Sequence, residues 1–226
     1  MPKPRTDFLT LIALSAFSFM LATAIHEHAG HALACLAIGG RLTELGAFYA
    51  DCAIDSVTDA GYRFVALAGP LVSLAAGILF FSVFNMTSKR NAPLKFFLWH
   101  LSTVNLMTAA GYMLFSGVAG IGDLGTTESG VFHQLEPEWL VRGSLTILGL
   151  IAYYIVIHIS IAKMDTFIGG ERLERVRRAQ ALSLISYLSG GVIALLIGML
   201  NPYGLFIILA SAVAASMGGT SGLAWM

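Results

Sequence analysis

Six stretches of this chain are long and apolar enough to be candidates for membrane-spanning helices. A hydrocarbon core of about 30 Å requires roughly 20 apolar residues per helix. Of the 226 residues, 57% are hydrophobic and only 12% are charged, whereas a soluble domain carries roughly a quarter charged residues. The sequence therefore predicts an all-α polytopic membrane protein with about six transmembrane helices, in a single membrane domain over residues 1–226. The runs begin near Phe8, Tyr62, Leu94, Trp139, Ala181 and Tyr203.

Two connections between these runs have distinctive compositions. The stretch from Gly39 to Gly61 is too polar to span a bilayer and has some alternation and aromatic content, which predicts a short strand-like or re-entrant segment after the first helix. The fourth connection, GGERLERVRRAQ, could form a short amphipathic helix against the lipid headgroups or a solvated loop, and the loop is the preferred prediction. Cys35 and Cys52 show no CxxC pattern, so we expect two unrelated packing cysteines rather than a disulfide or a thiolate metal site.

The charged residues alternate between the two ends of the predicted bundle. Lysine and arginine concentrate on the cytoplasmic side of membrane proteins. Here the N-terminus and the second and fourth connections are basic, and the other connections are mainly acidic. This pattern predicts a multi-pass protein of a bacterial-type cytoplasmic membrane, with both termini in the cytoplasm. The thirteen basic and thirteen acidic side chains cancel, so the lipid bilayer is an expected partner and nucleic acid is not.

The first apolar run contains four ionisable residues within six positions: His26, Glu27, His28 and His31. Such side chains are costly inside a membrane and usually face a cavity, a partner or a bound ion. In the familiar zinc motif HExxH, two histidines four residues apart lie on one face of a helix. His26 and His31 are five residues apart, which places them roughly 140° apart around a regular helix. A regular helix therefore cannot direct both at one metal.

Three interpretations of this spacing remain open. In the first, a π-bulge brings positions five apart into line, so that His26 and His31 bind zinc and Glu27 is the base. In the second, the helix stays regular, Glu27 and His31 are ligands, and His28 is a third ligand or the base. In the third, the motif has drifted in a protein that no longer cleaves anything.

The segment IHEHAGHALACLAIGG resembles the HExGHALA segment of the site-2 protease family of intramembrane zinc metalloproteases, with one additional residue. The family also has an AGP element on the next helix, and Ala68, Gly69 and Pro70 match it here. Ser73 stands where the family often has an asparagine. The resemblance covers roughly the first 130 residues. It implies a protease-like core over 1–130 and additional transmembrane helices over 131–226.

The resemblance also implies a third zinc ligand, an aspartate that follows a later helix. The best candidate is Asp123 in GIGDLG, although the family's DG pair is interrupted here by a leucine. The rival segment NPYG, residues 201–204, has tyrosine where the ligand should be and is set aside. Asn105 and His100 in the third run could orient a ligand or substrate, or could form interhelical hydrogen bonds.

The function implied by the resemblance is a metalloendopeptidase that cleaves membrane-spanning substrates. His26, His31 and Asp123 would hold Zn²⁺, Glu27 would be the catalytic base, and Gly69, Pro70 and Asn105 would have structural or substrate-positioning roles. Two other classes remain possible from the sequence. One is a proton or cation transporter that uses the same intramembrane cluster, and the other is a non-catalytic metal-binding membrane protein.

Overall fold

A computed structural model describes residues 7–53, 58–88, 91–128, 130–200 and 216–226. The first apolar run forms one continuous helical rod over Phe8–Ala37. This rod consists of α1 (Phe8–Ala24), a π-helix (Ile25–Ala32) and α2 (Leu33–Ala37). The carboxylate of Asp7 accepts a hydrogen bond from the amide of Thr10 at 2.9 Å, which caps the start of α1.

A two-stranded hairpin follows the rod. Strands β1 (Arg41–Leu45) and β2 (Ala50–Ala53) pair in antiparallel fashion with an irregularity between Leu42 and Glu44. This confirms the predicted strand-like segment. Cys35 of α2 and Cys52 of β2 form a disulfide, with Cα atoms 6.0 Å apart. The prediction of two unrelated cysteines is therefore wrong, because the hairpin folds back onto α2 and brings together two residues that no local motif connects.

Four long helices complete the described fold, together with a short 3₁₀ helix at Ser221–Trp225. Short connections link α3 to α4 and α5 to α6, so these neighbours run in opposite directions. The buried core lies between these helices and α1, and its largest side chains are aromatic. The four helices are α3 (Asp59–Met86), α4 (Ala92–Ala119), α5 (Glu138–Ile168) and α6 (Arg172–Gly198).

Among the described residues, four helices are long and apolar enough to cross a membrane: Phe8–Ala37, Asp59–Met86, Glu138–Ile168 and Arg172–Gly198. The predicted count of six spans is therefore not supported. Helix α4 is equally long but more polar, and most of its residues are buried. A helix enclosed by other helices does not need an apolar surface on every side. The sixth predicted run, from Tyr203, lies outside the described residues, as does NPYG.

The start of α6 corrects a second prediction. The preferred prediction of a solvated loop for GGERLERVRRAQ is wrong, and the helical alternative holds, because five of its six charged residues lie in the first turns of α6, which begins at Arg172. An ion pair between Arg178 and Glu174, four residues apart, supports this helical conformation. The connection itself is reduced to Gly169, Gly170 and Glu171, and both glycines have positive φ angles of 66° and 87°.

Candidate metal centre

The π-helix brings His26 and His31 together. It spans Ile25–Ala32, the segment IHEHAGHA, and its wider turn aligns positions five residues apart. The Nε2 atoms of His26 and His31 are 3.2 Å apart. The first of the three interpretations of the histidine spacing, the π-bulge, is therefore confirmed as a conformation.

Asp123 completes a group of three potential ligands. It lies in the connection between α4 and α5, and its Oδ2 atom is 3.0 Å from Nε2 of His26 and 3.2 Å from Nε2 of His31. Gly120 and Gly122 precede it with φ angles of 77° and 86°. These positive angles favour glycine, and they reverse the chain so that the carboxylate faces the two histidines.

The connection that carries Asp123 is fixed to the start of α3. Val131 donates its amide hydrogen to the Asp123 carbonyl at 2.8 Å. The Arg63 guanidinium donates to the carbonyls of Val131 and His133, at 2.8 and 3.1 Å. Asp59 accepts from Arg63 at 2.7 Å and lies 2.8 Å from Nε2 of His133. These bonds hold the carboxylate of Asp123 in place without using its side-chain oxygens.

The electrostatic surroundings keep the Asp123 carboxyl charged. Burial alone would raise its pKa, but the adjacent His31 and His26 have the opposite and larger effect and lower the pKa well below its usual range. A carboxylate, rather than a neutral acid, therefore faces the two imidazoles.

The other ring nitrogens of the two histidines have their own partners. Nδ1 of His31 is 2.8 Å from the carbonyl oxygen of Val65, which can only accept, so this nitrogen carries a hydrogen. Nδ1 of His26 is 3.0 Å from Oγ of Ser73. Such partners fix the ring orientation and leave Nε2 available as a ligand. The two Nε2 atoms and the carboxylate oxygen therefore face one position.

The donor set and its dimensions fit a small divalent cation. Bond lengths of 2.0–2.1 Å to zinc imply that neighbouring ligands in a tetrahedron lie roughly 3.3 Å apart. The three potential ligand atoms are separated by 3.0, 3.2 and 3.2 Å. Three converging lone pairs repel one another unless a cation or a proton lies between them. Two imidazoles and a carboxylate suit zinc and also other divalent metals, and three protein ligands leave a fourth position open.

Two glycines allow this close approach of the elements. A Cβ atom added to Gly69 would lie 2.6 Å from Cε1 of His31 and 2.7 Å from Nε2 of His26. A Cβ atom added to Gly30 would lie 2.6 Å from Cα of Gly69. The glycine of the AGP element therefore gives room to both imidazoles. Pro70 lies beside it inside α3 and is buried, without joining the ligand group.

A small cavity of about 20 Å³ adjoins the metal centre. This volume has room for about one water molecule. His26 and Glu27 both contribute to its wall, so Glu27 borders the same small space as one of the potential ligands. Among the described residues, the lining consists of Phe19, Thr23, His26, Glu27, Phe48, Val104, Thr108, Tyr112, Ser216 and Thr220.

Two residues named from the sequence are not brought into the ligand group. Nε2 of His28 is 2.9 Å from the carbonyl oxygen of Gly46, which ties the π-helix to the hairpin. Asn105 is fully buried, but its Nδ2 donates to Leu101 of the same helix and its Oδ1 has no partner among the described residues. The predicted interhelical hydrogen bond of Asn105 is therefore not found in the described part of the chain, nor is that of His100.

The sequence reasoning missed one aromatic side chain of the site. The ring of Tyr112 stacks on that of His26, with centroids 4.7 Å apart and planes 18° apart. Tyr112 comes from α4, more than eighty residues away in the chain. Its one sequence signal is weak: it lies four residues after Thr108, so both occupy one helix face.

Comparisons of the chain with models of protein families, with curated proteins and with solved structures find no match.

Proposed function

We propose that this protein is a multi-pass membrane metalloprotease of the site-2 type, which hydrolyses peptide bonds of membrane-spanning substrates. The observation that carries this proposal is the convergence of His26, His31 and Asp123 on one position, beside Glu27 and a water-sized cavity. Two histidines and a carboxylate with an adjacent glutamate form one of the sets that zinc-dependent hydrolases use. The order of the HEHAGH and AGP segments along the chain agrees with a protease of the site-2 type.

The proposed chemistry assigns a role to each residue. His26, His31 and Asp123 hold zinc, which when bound acts as a Lewis acid toward the scissile carbonyl. Glu27 accepts a proton from the attacking water while a bond forms between the water oxygen and the carbonyl carbon. Glu27 then donates this proton to the amide nitrogen as the carbon–nitrogen bond breaks.

A membrane segment must unwind locally to expose a peptide bond to this site. The hairpin lies next to the π-helix, to which Gly46 connects it, and the Cys35–Cys52 disulfide joins it to α2. Phe48, between the two strands, lines the cavity and is only 3% exposed. We propose that the substrate lies along this hairpin when it reaches Glu27.

We further propose that both termini lie in the cytoplasm and that the metal centre faces the opposite side of the membrane. The end of the bundle that holds the metal centre is rich in acidic residues, and the other end carries most of the lysines and arginines. The Cys35–Cys52 disulfide lies at the metal-centre end, and disulfides persist mainly in oxidising compartments outside the cytoplasm.

This orientation can be tested in intact cells. A membrane-impermeant reductant followed by a membrane-impermeant maleimide should label Cys35 and Cys52. Labelling only after the membrane has been permeabilised would refute the orientation, whatever the outcome for proteolysis.

The function is tested first by metal analysis of the purified full chain. We expect about one zinc per chain in the wild type and near none in His31→Ala or Asp123→Ala, since each removes one of three ligands. His158→Ala is the matched control, because His158 is exposed and bonds only its own helix through Tyr154. No bound metal in the wild type would refute the proposal.

Catalysis is tested with Glu27→Gln, which retains the shape of the side chain. Proteoliposomes containing the wild type and a set of transmembrane peptides are analysed for cleavage by mass spectrometry. We expect cleavage by the wild type and His158→Ala, and none by Glu27→Gln with unchanged zinc content. Stoichiometric zinc without any cleavage that depends on Glu27 would indicate a non-catalytic metal-binding membrane protein.

A further inference from the structure

The hydroxyl group of Tyr112 is the feature of the cavity that the roles described so far leave unexplained. Tyr112 lines the cavity together with Glu27 and His26. Its hydroxyl forms no hydrogen bond with any residue in the described part of the chain. Tyr112 is half-buried, and a tyrosine hydroxyl at the wall of such a cavity usually has a hydrogen-bond partner. The partner that the geometry offers is therefore whatever occupies the cavity.

The threonine hydroxyls of the cavity differ from that of Tyr112. Thr23 donates to the carbonyl of Phe19 at 3.0 Å, and Thr108 donates to that of Val104 at 2.9 Å. Thr220 donates to the carbonyl of Ser216 at 2.7 Å. Each of these hydrogens is committed to a carbonyl four residues earlier in the chain. The phenol of Tyr112 keeps its hydrogen available for an oxygen atom in the cavity.

The Tyr112 ring lies directly against the metal centre. The ring is nearly parallel to that of His26, with centroids 4.7 Å apart, while His31 meets His26 edge-on at 4.9 Å. The His26 ring therefore lies between the rings of His31 and Tyr112. The aromatic contact restrains the tyrosine ring in the cavity wall, beside the carboxylate that would move the proton.

We propose that Tyr112 is a catalytic residue that donates a hydrogen bond to the oxyanion formed during peptide hydrolysis. This inference rests on the proposed protease function. When water attacks, the π electrons of the scissile carbonyl move onto its oxygen, and the Tyr112 hydroxyl donates to that oxygen and keeps its own proton. The electron pair returns to carbon as the bond to nitrogen breaks, and the nitrogen receives its proton from Glu27.

The test uses the full chain loaded with cobalt(II), whose visible spectrum reports on ligands at the metal, and acetohydroxamate as a small oxygen-donor probe. Titration gives the affinity for the probe without any need for a peptide substrate. We expect Tyr112→Phe to bind one cobalt per chain, as the wild type does, because the aromatic ring is retained. It should bind acetohydroxamate about tenfold to a hundredfold more weakly, which is the loss expected for a hydrogen bond to a charged oxygen.

Tyr154→Phe is the matched control. Tyr154 is 64% exposed on α5, so the same loss of a hydroxyl should leave the affinity for acetohydroxamate unchanged. Equal affinities for Tyr112→Phe and the wild type would overturn the proposal. Loss of cobalt from Tyr112→Phe would also overturn it, because the tyrosine would then act through His26.

The outcomes separate this proposal from the proposed function. If the wild type binds no cobalt, the metal centre is refuted and the role of Tyr112 is refuted with it. If the affinity for acetohydroxamate depends on the Tyr112 hydroxyl but no peptide is cleaved, Tyr112 is a hydrogen-bond donor at the metal centre and the protease function is refuted. If peptides are cleaved and the affinity for acetohydroxamate does not depend on the Tyr112 hydroxyl, the protease function is retained and the role of Tyr112 as a hydrogen-bond donor is refuted.

Discussion

Two regions of the molecule bury histidine, and they do so in opposite ways. His26 and His31 are 3% and 8% exposed, and both nitrogens of each ring face a polar atom. His100 is completely buried, and neither of its ring nitrogens has a hydrogen-bond partner among the described residues. Burial alone therefore does not distinguish a ligand from a packing residue. The partners of the ring nitrogens do.

The surroundings of His100 are those of an aromatic core. Its ring is stacked on Phe96 with centroids 5.6 Å apart, and Phe19 and Trp99 lie at 5.5 and 5.9 Å. In contrast, Ser73 and the carbonyl of Val65 orient the rings of the metal centre toward Asp123. Polar contacts position His26 and His31, whereas packing in the aromatic core positions His100.

Changing the length of the π-helix should have the largest effect. Deletion of Ala29, which is exposed, gives a four-residue spacing that a regular α-helix aligns, so we expect about one zinc per chain. Insertion of one alanine beside Ala29 separates the histidines by six positions and should abolish zinc binding. Zinc content is measured by atomic spectroscopy. Equal zinc content in the two variants would contradict the role of the π-helix.

Removing one ring partner should have an intermediate effect. Ser73→Ala takes away the group that holds Nδ1 of His26, and loss of such a partner typically weakens metal binding by about 10-fold to 100-fold. Competition with a zinc chelator measures the affinity. Ser82→Ala is the control, since Ser82 is exposed on the same helix and bonds its own Ile78 carbonyl. An unchanged affinity in Ser73→Ala would show that the tertiary contacts of the ring suffice without the hydroxyl.

Replacing His100 should have the smallest effect, and in the stabilising direction. His100→Phe retains an aromatic ring and removes two buried nitrogens that have no partner, so we expect the free energy of unfolding to rise by about 1 kcal/mol. Thermal unfolding in detergent measures this change. Zinc content should stay the same, because His100 is not in the ligand group. A loss of stability or of zinc would indicate that His100 has a polar role.

Much of the fold could be predicted from the apolar runs, and the reasons for the errors are specific. The first run was expected to begin at Phe8, and α1 does. Helices α3 to α5 begin within three residues of the predicted positions. The predicted start was wrong for α6, where charged residues continue the helix beyond its apolar part. Helix α4 forms where expected, but it is not among the four helices apolar enough to cross a membrane, and most of its residues are buried.

Much of the metal centre could also be predicted. The spacing of His26 and His31 restricted the helix to a π-bulge if both were to meet, and the structure contains one. Asp123 was named from its place after a later helix, and its carboxylate faces both rings. The partners of those rings could not be predicted, because neither the Val65 carbonyl nor the Tyr112 ring belongs to a local pattern.

The sequence alone indicated where the apolar helices begin and which histidines could share a helix face. Such properties depend on spacing along one chain segment, where a residue's phase follows from its number. Only the tertiary structure decided that Cys35 meets Cys52, that His28 points to the hairpin, and that Tyr112 covers His26. These contacts depend on how separate elements pack, and packing is set by the whole bundle rather than by any one segment.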